Sequence, residues 1–182
     1  PAGTTTNTFR VTDASGNTAT CNQIVTVNDM EVPTLVTFSN QTFNVIANTC
    51  AANYTIVDPI TDNCTGATWG YTLTGATITT VTGIADGTNA TSVSFNKGIT
   101  TVTLTGVDAS LNAATTTTFS VTVTDNQVPT ISGCVSNQTL SMDAGLCVAN
   151  FSIPAPSISD NCAGPYIWKA TFSGNAIGNP TN

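Results

Sequence analysis

Residues 25–38, "VTVNDMEVPTLVTF", return almost word for word at 121–134 as "VTVTDNQVPTISGC", and the match continues on both sides. Upstream, "VTDASGNTAT" at 11–20 answers "GVDASLNAAT" at 106–115, which sets Asp13 and Asp108 95 residues apart. Asp29 and Asp125 are 96 apart, as are Pro33 and Pro129. Downstream, "NQTFNVIANTCAANYTI" at 40–56 answers "NQTLSMDAGLCVANFSI" at 137–153, and "TDNC" at 61–64 answers "SDNC" at 159–162. The offset reaches 97 at Cys50 and Cys147, 98 at Cys64 and Cys162, and 99 at Trp69 and Trp168, a drift that single-residue loop insertions produce. A period of this kind constrains the fold more than any composition does, because each unit must build its own core or share one with its neighbour. The chain then divides into the C-terminal part of one unit (1–31), a complete unit (32–127) and the N-terminal part of a third (128–182). About 30 residues cannot bury a core alone, so the expectation is a natural protein that continues past both ends.

The period is close to the roughly 100 residues of an immunoglobulin-like sandwich. The strands fit. In "TTVTLTGV" Val102 and Leu104 alternate with Thr, and in "TTFSVTVT" Phe119, Val121 and Val123 do the same. Alternation with a period of two, Thr outward, gives one face to a core and one to water. The intervening "DASLNA" supplies the residues of a hairpin turn, and no segment carries a convincing 3.6-residue period. The expected fold is all-β: tandem immunoglobulin-like antiparallel β-sandwich modules in an extended array.

Composition narrows the function. Thr is roughly one residue in five and charged residues are 7% of the chain, against about a quarter in an average soluble protein. Ten acids, three bases and no His give a net charge of −7. A basic patch that neutralises phosphates cannot be assembled from three cations, so nucleic acid is not expected as a partner. No apolar run approaches the roughly 20 residues that span a bilayer, so no membrane insertion is expected of this segment, and the opening "PAGTTTNTFR" does not read as a signal peptide. Six Cys with no C-x-x-C pair and no His argue against zinc. They argue for disulfides and for an oxidising, extracellular, cell-surface setting.

Cys50 with Cys64, and Cys147 with Cys162, occupy equivalent places in their units, and local bridges are the simplest connectivity. Each would close a loop of about 15 residues, on the order of 3 kcal/mol in the chain-entropy account. Cys21 and Cys134 remain. Their counterparts in the complete unit are Thr116 or Thr117 and Phe38, so that unit lacks both together, as expected if a cysteine near a unit's start bridges to one near its end. On that reading Cys21 and Cys134 pair outside the segment; the alternative is a Cys21–Cys134 bridge.

The order "VTVTDNQVPTISGC", then "DAGLC" at 143–147, then "SDNC" at 159–162, with "TVTLTGVDASLN" at 101–112 closing the preceding unit, resembles the hyalin repeat, an extracellular module related to immunoglobulin-like folds. The resemblance covers the chain in partial, full and partial copies. It implies adhesive or structural roles in secreted proteins, among them long bacterial surface proteins of tandem copies. A Thr- and Asn-rich version with few charges is similar to those of Bacteroidota, whose giant surface adhesins include gliding-motility proteins. The middle unit departs from the family pattern at Phe38 and Thr116/Thr117, which puts one of the family's disulfides in doubt there.

Catalysis has little to stand on: no His, no cluster of Lys or Arg, and no nucleophile with a base beside it. Asp58 and Asp62 could form a glycosidase-like carboxylate pair, but Asp58 has no acidic counterpart in the third unit. No enzyme is expected. Calcium is the stronger candidate: Asp29 and Glu31, with Asp125 and Asn126 at the next junction, offer oxygen ligands where a linker meets neighbouring loops. Asp13 and Asp108 are weaker candidates, since Asp, Ser, Gly and Asn are also what a tight hairpin turn requires. Asp62–Asn63 and Asp160–Asn161 read as turn caps before a cysteine. Asn40, Asn53, Asn63, Asn89, Asn137 and Asn150 each begin an N-x-S/T triplet. Trp69 and Trp168 read as core.

The expectation is therefore a structural or adhesive segment of a long extracellular filament or stalk, with neighbouring modules, and other copies of the filament, as its partners. Proline fixes its own φ and restricts the residue before it, so "DNQVP" makes a short joint with little slack. The alternatives are a carbohydrate- or protein-binding module, hinted at by the aromatics of "TWGYTLTG", and a non-catalytic appendage of a secreted enzyme.

Overall fold

A computed structural model describes residues 2–174 of the chain. The expected all-β sandwich is what these residues form, and among them there is no helix. The complete repeat unit carries β3 (Thr34–Leu35), β4 (Gln41–Asn44), β5 (Ala51–Tyr54), β6 (Ile60–Thr61), β7 (Thr68–Gly75), β8 (Thr79–Ala85), β9 (Val93–Asn96), β10 (Gly98–Val107) and β11 (Thr117–Thr124). One layer is a five-stranded sheet in the order β4-β11-β10-β7-β8. Facing it are two short antiparallel pairs, β3 with β6 and β5 with β9.

Alternation explains which faces meet. Val102 and Leu104 of β10, Phe119, Val121 and Val123 of β11, and Trp69, Tyr71 and Leu73 of β7 are buried, and they pack against Phe95, Ile56, Ile60 and Ala52 of the other layer. One pairing breaks the antiparallel expectation: β4 runs parallel to β11, with Val121 opposite Gln41 and Val123 opposite Phe43. A parallel partner leaves no turn signal, because the chain must cross the sandwich before it returns.

Two glycines let backbones approach. Gly70 sits at an irregularity between Trp69 and Tyr71 in the β7–β8 pairing, where a Cβ would collide with the carbonyl oxygen of Val81. At Gly106 a Cβ would lie 2.7 Å from Cδ1 of Ile60, so the Ile60 side chain of β6 occupies the space over β10 that a Cβ would take.

Before the sandwich lies a hairpin, β1 (Gly3–Thr12) with β2 (Thr18–Val27), and after it the short pair β12 (Thr130–Ser132) with β13 (Ser157–Ser159). The hairpin repeats the register of β10 with β11: Gly3 faces Val27 as Gly98 faces Val123, and Phe9 faces Cys21 as Leu104 faces Thr117. Likewise Thr130 faces Ser159 and Ile131 faces Ile158, as Thr34 faces Thr61 and Leu35 faces Ile60. Both flanking pieces are wet. Phe9, Val25 and Val27 are exposed, whereas their counterparts Leu104, Val121 and Val123 are 0%, 0% and 2% exposed.

Candidate functional site

Three carboxylates converge at the end of the sandwich that receives the hairpin. Asp29 comes from the linker after β2, Asp62 from the segment after β6, and Asp108 from the turn after β10; one oxygen from each lies within 4.8 Å of the other two. Asp108 is 3% exposed. Its Oδ1 accepts the backbone N–H groups of Ser110 at 2.9 Å and Asn112 at 2.7 Å, and its Oδ2 accepts Nδ2 of Asn112 at 2.7 Å. Burial alone would push this carboxyl up, but the bonds from Asn112, Ser110 and Leu111 outweigh it and hold Asp108 below the usual carboxylate value, hence ionised. Asn112 Nδ2 also donates to the carbonyl oxygen of Asp29 at 3.2 Å, which ties the turn to the linker.

Asp62 accepts the Cys64 N–H on Oδ2 at 3.1 Å, the turn cap expected of it. Its Oδ1 is buried and, among the described residues, has no hydrogen-bond partner. Asp29 Oδ1 accepts the Glu31 N–H at 3.2 Å, and Glu31 Oε2 accepts Nδ2 of Asn63 at 3.0 Å. The thiol of Cys64 lies in the same corner, and its hydrogen bond to Asp29, its burial and the charges of Asp29 and Asp62 push it above the ordinary thiol value. Three negative charges thus meet with an orphaned buried oxygen, while Lys97 is engaged elsewhere. A hard, oxygen-ligated dication fits such a donor set, and calcium accepts the mixture of carboxylate and carbonyl oxygens present.

The opposite end is built differently. Asp125, the counterpart of Asp29, pairs through Oδ2 with Nζ of Lys97 at 3.3 Å and accepts the Gln127 N–H on Oδ1 at 3.1 Å. Gln127 Oε1 accepts the Asn48 N–H at 3.4 Å, and Asn161 Nδ2 donates to the carbonyl oxygen of Thr49. Asn126 is exposed. Among the described residues Asp125 and Asn126 join no cluster of three such ligands, unlike Asp29. Asp13 repeats the Asp108 turn, taking the N–H of Ser15 at 2.9 Å, the N–H of Asn17 at 2.8 Å and Nδ2 of Asn17 at 2.8 Å, and the Asn17 side chain leads the bonds that lower its pKa. It is exposed and joins no cluster.

The cysteines correct the expected pairing. Cys50 is bonded to Cys162, 112 residues away, with a Cα–Cα distance of 4.8 Å, while Cys64 and Cys147 are free. Neither Cys50–Cys64 nor Cys147–Cys162 forms. Cys50 lies at the Asp125 end, where its carbonyl oxygen accepts the Lys97 N–H, and Cys64 lies at the Asp29 end. The ten-residue β10 that runs between those ends spans about 33 Å, several times the Cα spacing a disulfide tolerates. Cys21 and Cys134 are free and exposed. Their counterparts in the sandwich are neighbours, since Thr117 Oγ1 donates to the carbonyl oxygen of Val36 at 3.5 Å and the Phe38 ring sits 5.4 Å from that of Phe119.

Other candidates resolve simply. Asp58 holds the backbone N–H groups of Ile60 and Gly87, apart from Asp62 and its carboxylate neighbours. "TWGYTLTG" is β7, a core strand: Trp69 is buried, with Nε1 donating to the carbonyl oxygen of Thr88 at 3.2 Å, so its aromatics form no exposed loop surface. Trp168 is half-buried. Asn40 and Asn89 use their side-chain oxygens to hold the N–H groups of Ser120 and Asp58. Sequence reasoning missed Asp62 as a possible ligand and missed the long-range bridge; the recurrence of an acid two residues before Cys64 and Cys162 was the available signal. Comparison with family models gives no match to the chain, and comparison with curated proteins gives none either.

Proposed function

We propose that this chain is a structural segment of a long extracellular surface protein, an array of sandwich modules whose work is to span distance and resist bending. One observation carries the reading. The chain exposes 12467 Å² of surface, about half again the roughly 8200 Å² of a compact monomer of 18.6 kDa. The flanking hairpin adds exposed surface where it repeats the sandwich's own register without its cover, at Phe9, Val25 and Val27. The sandwich meets its flanking pieces at opposite ends, through Asn112 with Asp29 and Asn63 with Glu31 at one, and through Cys50 with Cys162 and Thr49 with Asn161 at the other. End-to-end contacts propagate length.

On this reading Asp29, Asp62 and Asp108 hold calcium, with Asn112 and Glu31 positioning the linker that brings Asp29 in. The ion supplies charge neutralisation and nothing more; the residues fix how the linker meets the sandwich. An oxidising, extracytoplasmic location agrees with the disulfide.

Solution scattering on the oxidised chain tests the proposal. A compact protein of 182 residues has a radius of gyration of about 16 Å. An array segment gives a clearly larger value and a distance distribution with a long tail. A value at the compact figure would remove the reading.

A further inference from the structure

The bridge from Cys50 to Cys162 joins the complete unit to the one that follows, and its two halves occupy unlike places in the repeat. Cys50 closes the turn after β4, in which the Ile46 N–H donates to the Ala51 carbonyl oxygen at 2.8 Å and the Thr49 N–H to that of Ile46 at 2.9 Å. Cys147 sits in the same turn one unit on, where the Asp143 N–H donates to the Val148 carbonyl oxygen at 2.8 Å and the Leu146 N–H to that of Asp143 at 3.0 Å. Cys162 follows Ser159, Asp160 and Asn161 out of β13, and Cys64 follows Thr61, Asp62 and Asn63 out of β6, with β13 and β6 in matching register to β12 and β3. Each unit therefore carries one cysteine of the Cys50 type and one of the Cys162 type, about a sandwich length apart.

We propose that the disulfides of this protein form a ladder between units: Cys64 takes the Cys50-type cysteine of a unit stacked on the Asp29 end, and Cys147 takes the Cys64-type cysteine of a unit stacked beyond it. The inference rests on the array reading above. The observed Cys50–Cys162 bond is one rung, and the free thiols of Cys64 and Cys147 are the halves of the adjacent rungs. Within a unit the two types cannot meet, so the same spacing that forbids Cys50–Cys64 makes the rung obligately intermodular.

The chemistry balances with a small-molecule or protein disulfide as oxidant. The thiolate of one cysteine attacks an oxidant sulfur, and one oxidant thiolate leaves. The second cysteine, as thiolate, attacks the mixed disulfide, and the second oxidant thiolate leaves. Two thiols lose two protons and two electrons, and the oxidant is reduced to two thiols.

The test inserts a second copy of residues 32–127 after residue 127 of the chain, oxidises it with glutathione disulfide, alkylates free thiols under denaturing conditions and maps the bridged peptides. The parent chain has four free cysteines, Cys21, Cys64, Cys134 and Cys147. The ladder predicts that the lengthened chain, with two more cysteines, keeps that same number free and yields two bridges, first-copy Cys50 with second-copy Cys64 and second-copy Cys50 with Cys162. C64S in the inserted copy should release one further thiol, that of first-copy Cys50. Two additional free thiols, or a Cys50–Cys64 bridge within one copy, overturn the ladder. Scattering on the same lengthened protein separates the two ideas: an elongated particle without the new bridge sinks the ladder alone, and a compact particle sinks the array.

Discussion

Removing the bridge at Cys162 should cost the folded chain more than any single core truncation of average size. Cys50 and Cys162 enclose a separation of 112 residues, and in the chain-entropy account the denatured state loses about 2.1 cal/mol/K plus a term growing as the logarithm of the loop length. At 25 °C that is about 5 kcal/mol. The variants are C162S and C50S, compared with the oxidised parent and with the parent under a phosphine reductant. Urea unfolding followed by the fluorescence of the buried Trp69 reports the sandwich. With a slope near 2.5 kcal/mol per molar urea, the midpoint should fall by about 2 M. Cys162 is 3% exposed and lies within the core cluster, so serine there adds a buried hydroxyl whose penalty is about 1–3 kcal/mol if unpaired. Reduction of the parent adds no hydroxyl. Agreement between reduction and C50S, with C162S lower by no more than the hydroxyl penalty, identifies the cross-link as the cause, and the reductant should leave C162S unmoved. A shift below about 1 kcal/mol, or a parent indifferent to reduction, would refute the reasoning, because it would mean that Cys50 and Cys162 do not meet in the native chain.

Two further expectations come from other parts of the fold. Calcium near millimolar concentration should raise the melting temperature relative to chelator, by an amount that approaches about 2.7 kcal/mol when the ion stands at 100 times its dissociation constant, and D62N should abolish the response; an unchanged melt, with no heat of binding in calorimetry, removes calcium from Asp29, Asp62 and Asp108. G70A should destabilise by about 1–3 kcal/mol, read as a fall in the same urea midpoint, because its Cβ meets the backbone of Val81 rather than a movable side chain; an unchanged midpoint would mean that β8 can move aside there.

What the sequence made legible was what is written locally. Thr alternating with Val102 and Leu104, or with Val121 and Val123, dictates which face is buried whatever the strands pair with, and those residues are buried. "DASLNA" places a turn because Asp108 can cap it through Ser110 and Asn112 without distant help. Long-range facts left weaker marks. The parallel pairing of β4 with β11 joins residues about 80 positions apart through backbone bonds alone and needs no particular side chains. The disulfide was misread because short separation in sequence stood in for proximity, whereas β5 and the loop after it carry the chain from the Cys50 end to the Cys64 end before Cys64 arrives. Asp62 looked like a cap and is one. Its nearness to Asp29 and Asp108, and the buried oxygen left without a partner, become meaningful only when three separate segments are brought together.

The two ends of the sandwich differ in how they can resist bending. At the Asp125 end the following residues are attached twice, by the chain through "DNQVP" and by Cys50 with Cys162. Two separated attachments leave one free rotation, about the line that joins them. The Lys97–Asp125 pair fixes only the start of the joint, and weakly, since Lys97 is 48% exposed and an exposed ion pair contributes about 0–1 kcal/mol. At the Asp29 end the hairpin is attached once, and the contacts that could hold it include three carboxylates that repel one another until something neutralises them. The hydrogen bonds of Asn112 with Asp29 and of Asn63 with Glu31 hold the linker there, and a cation or a bridge to Cys64 would add stiffness to them. Oxidation without calcium should therefore leave a chain that is firm beyond Asp125 and bends before Asp29, a polarity that follows from the cysteine pattern and the carboxylates and not from the sandwich itself.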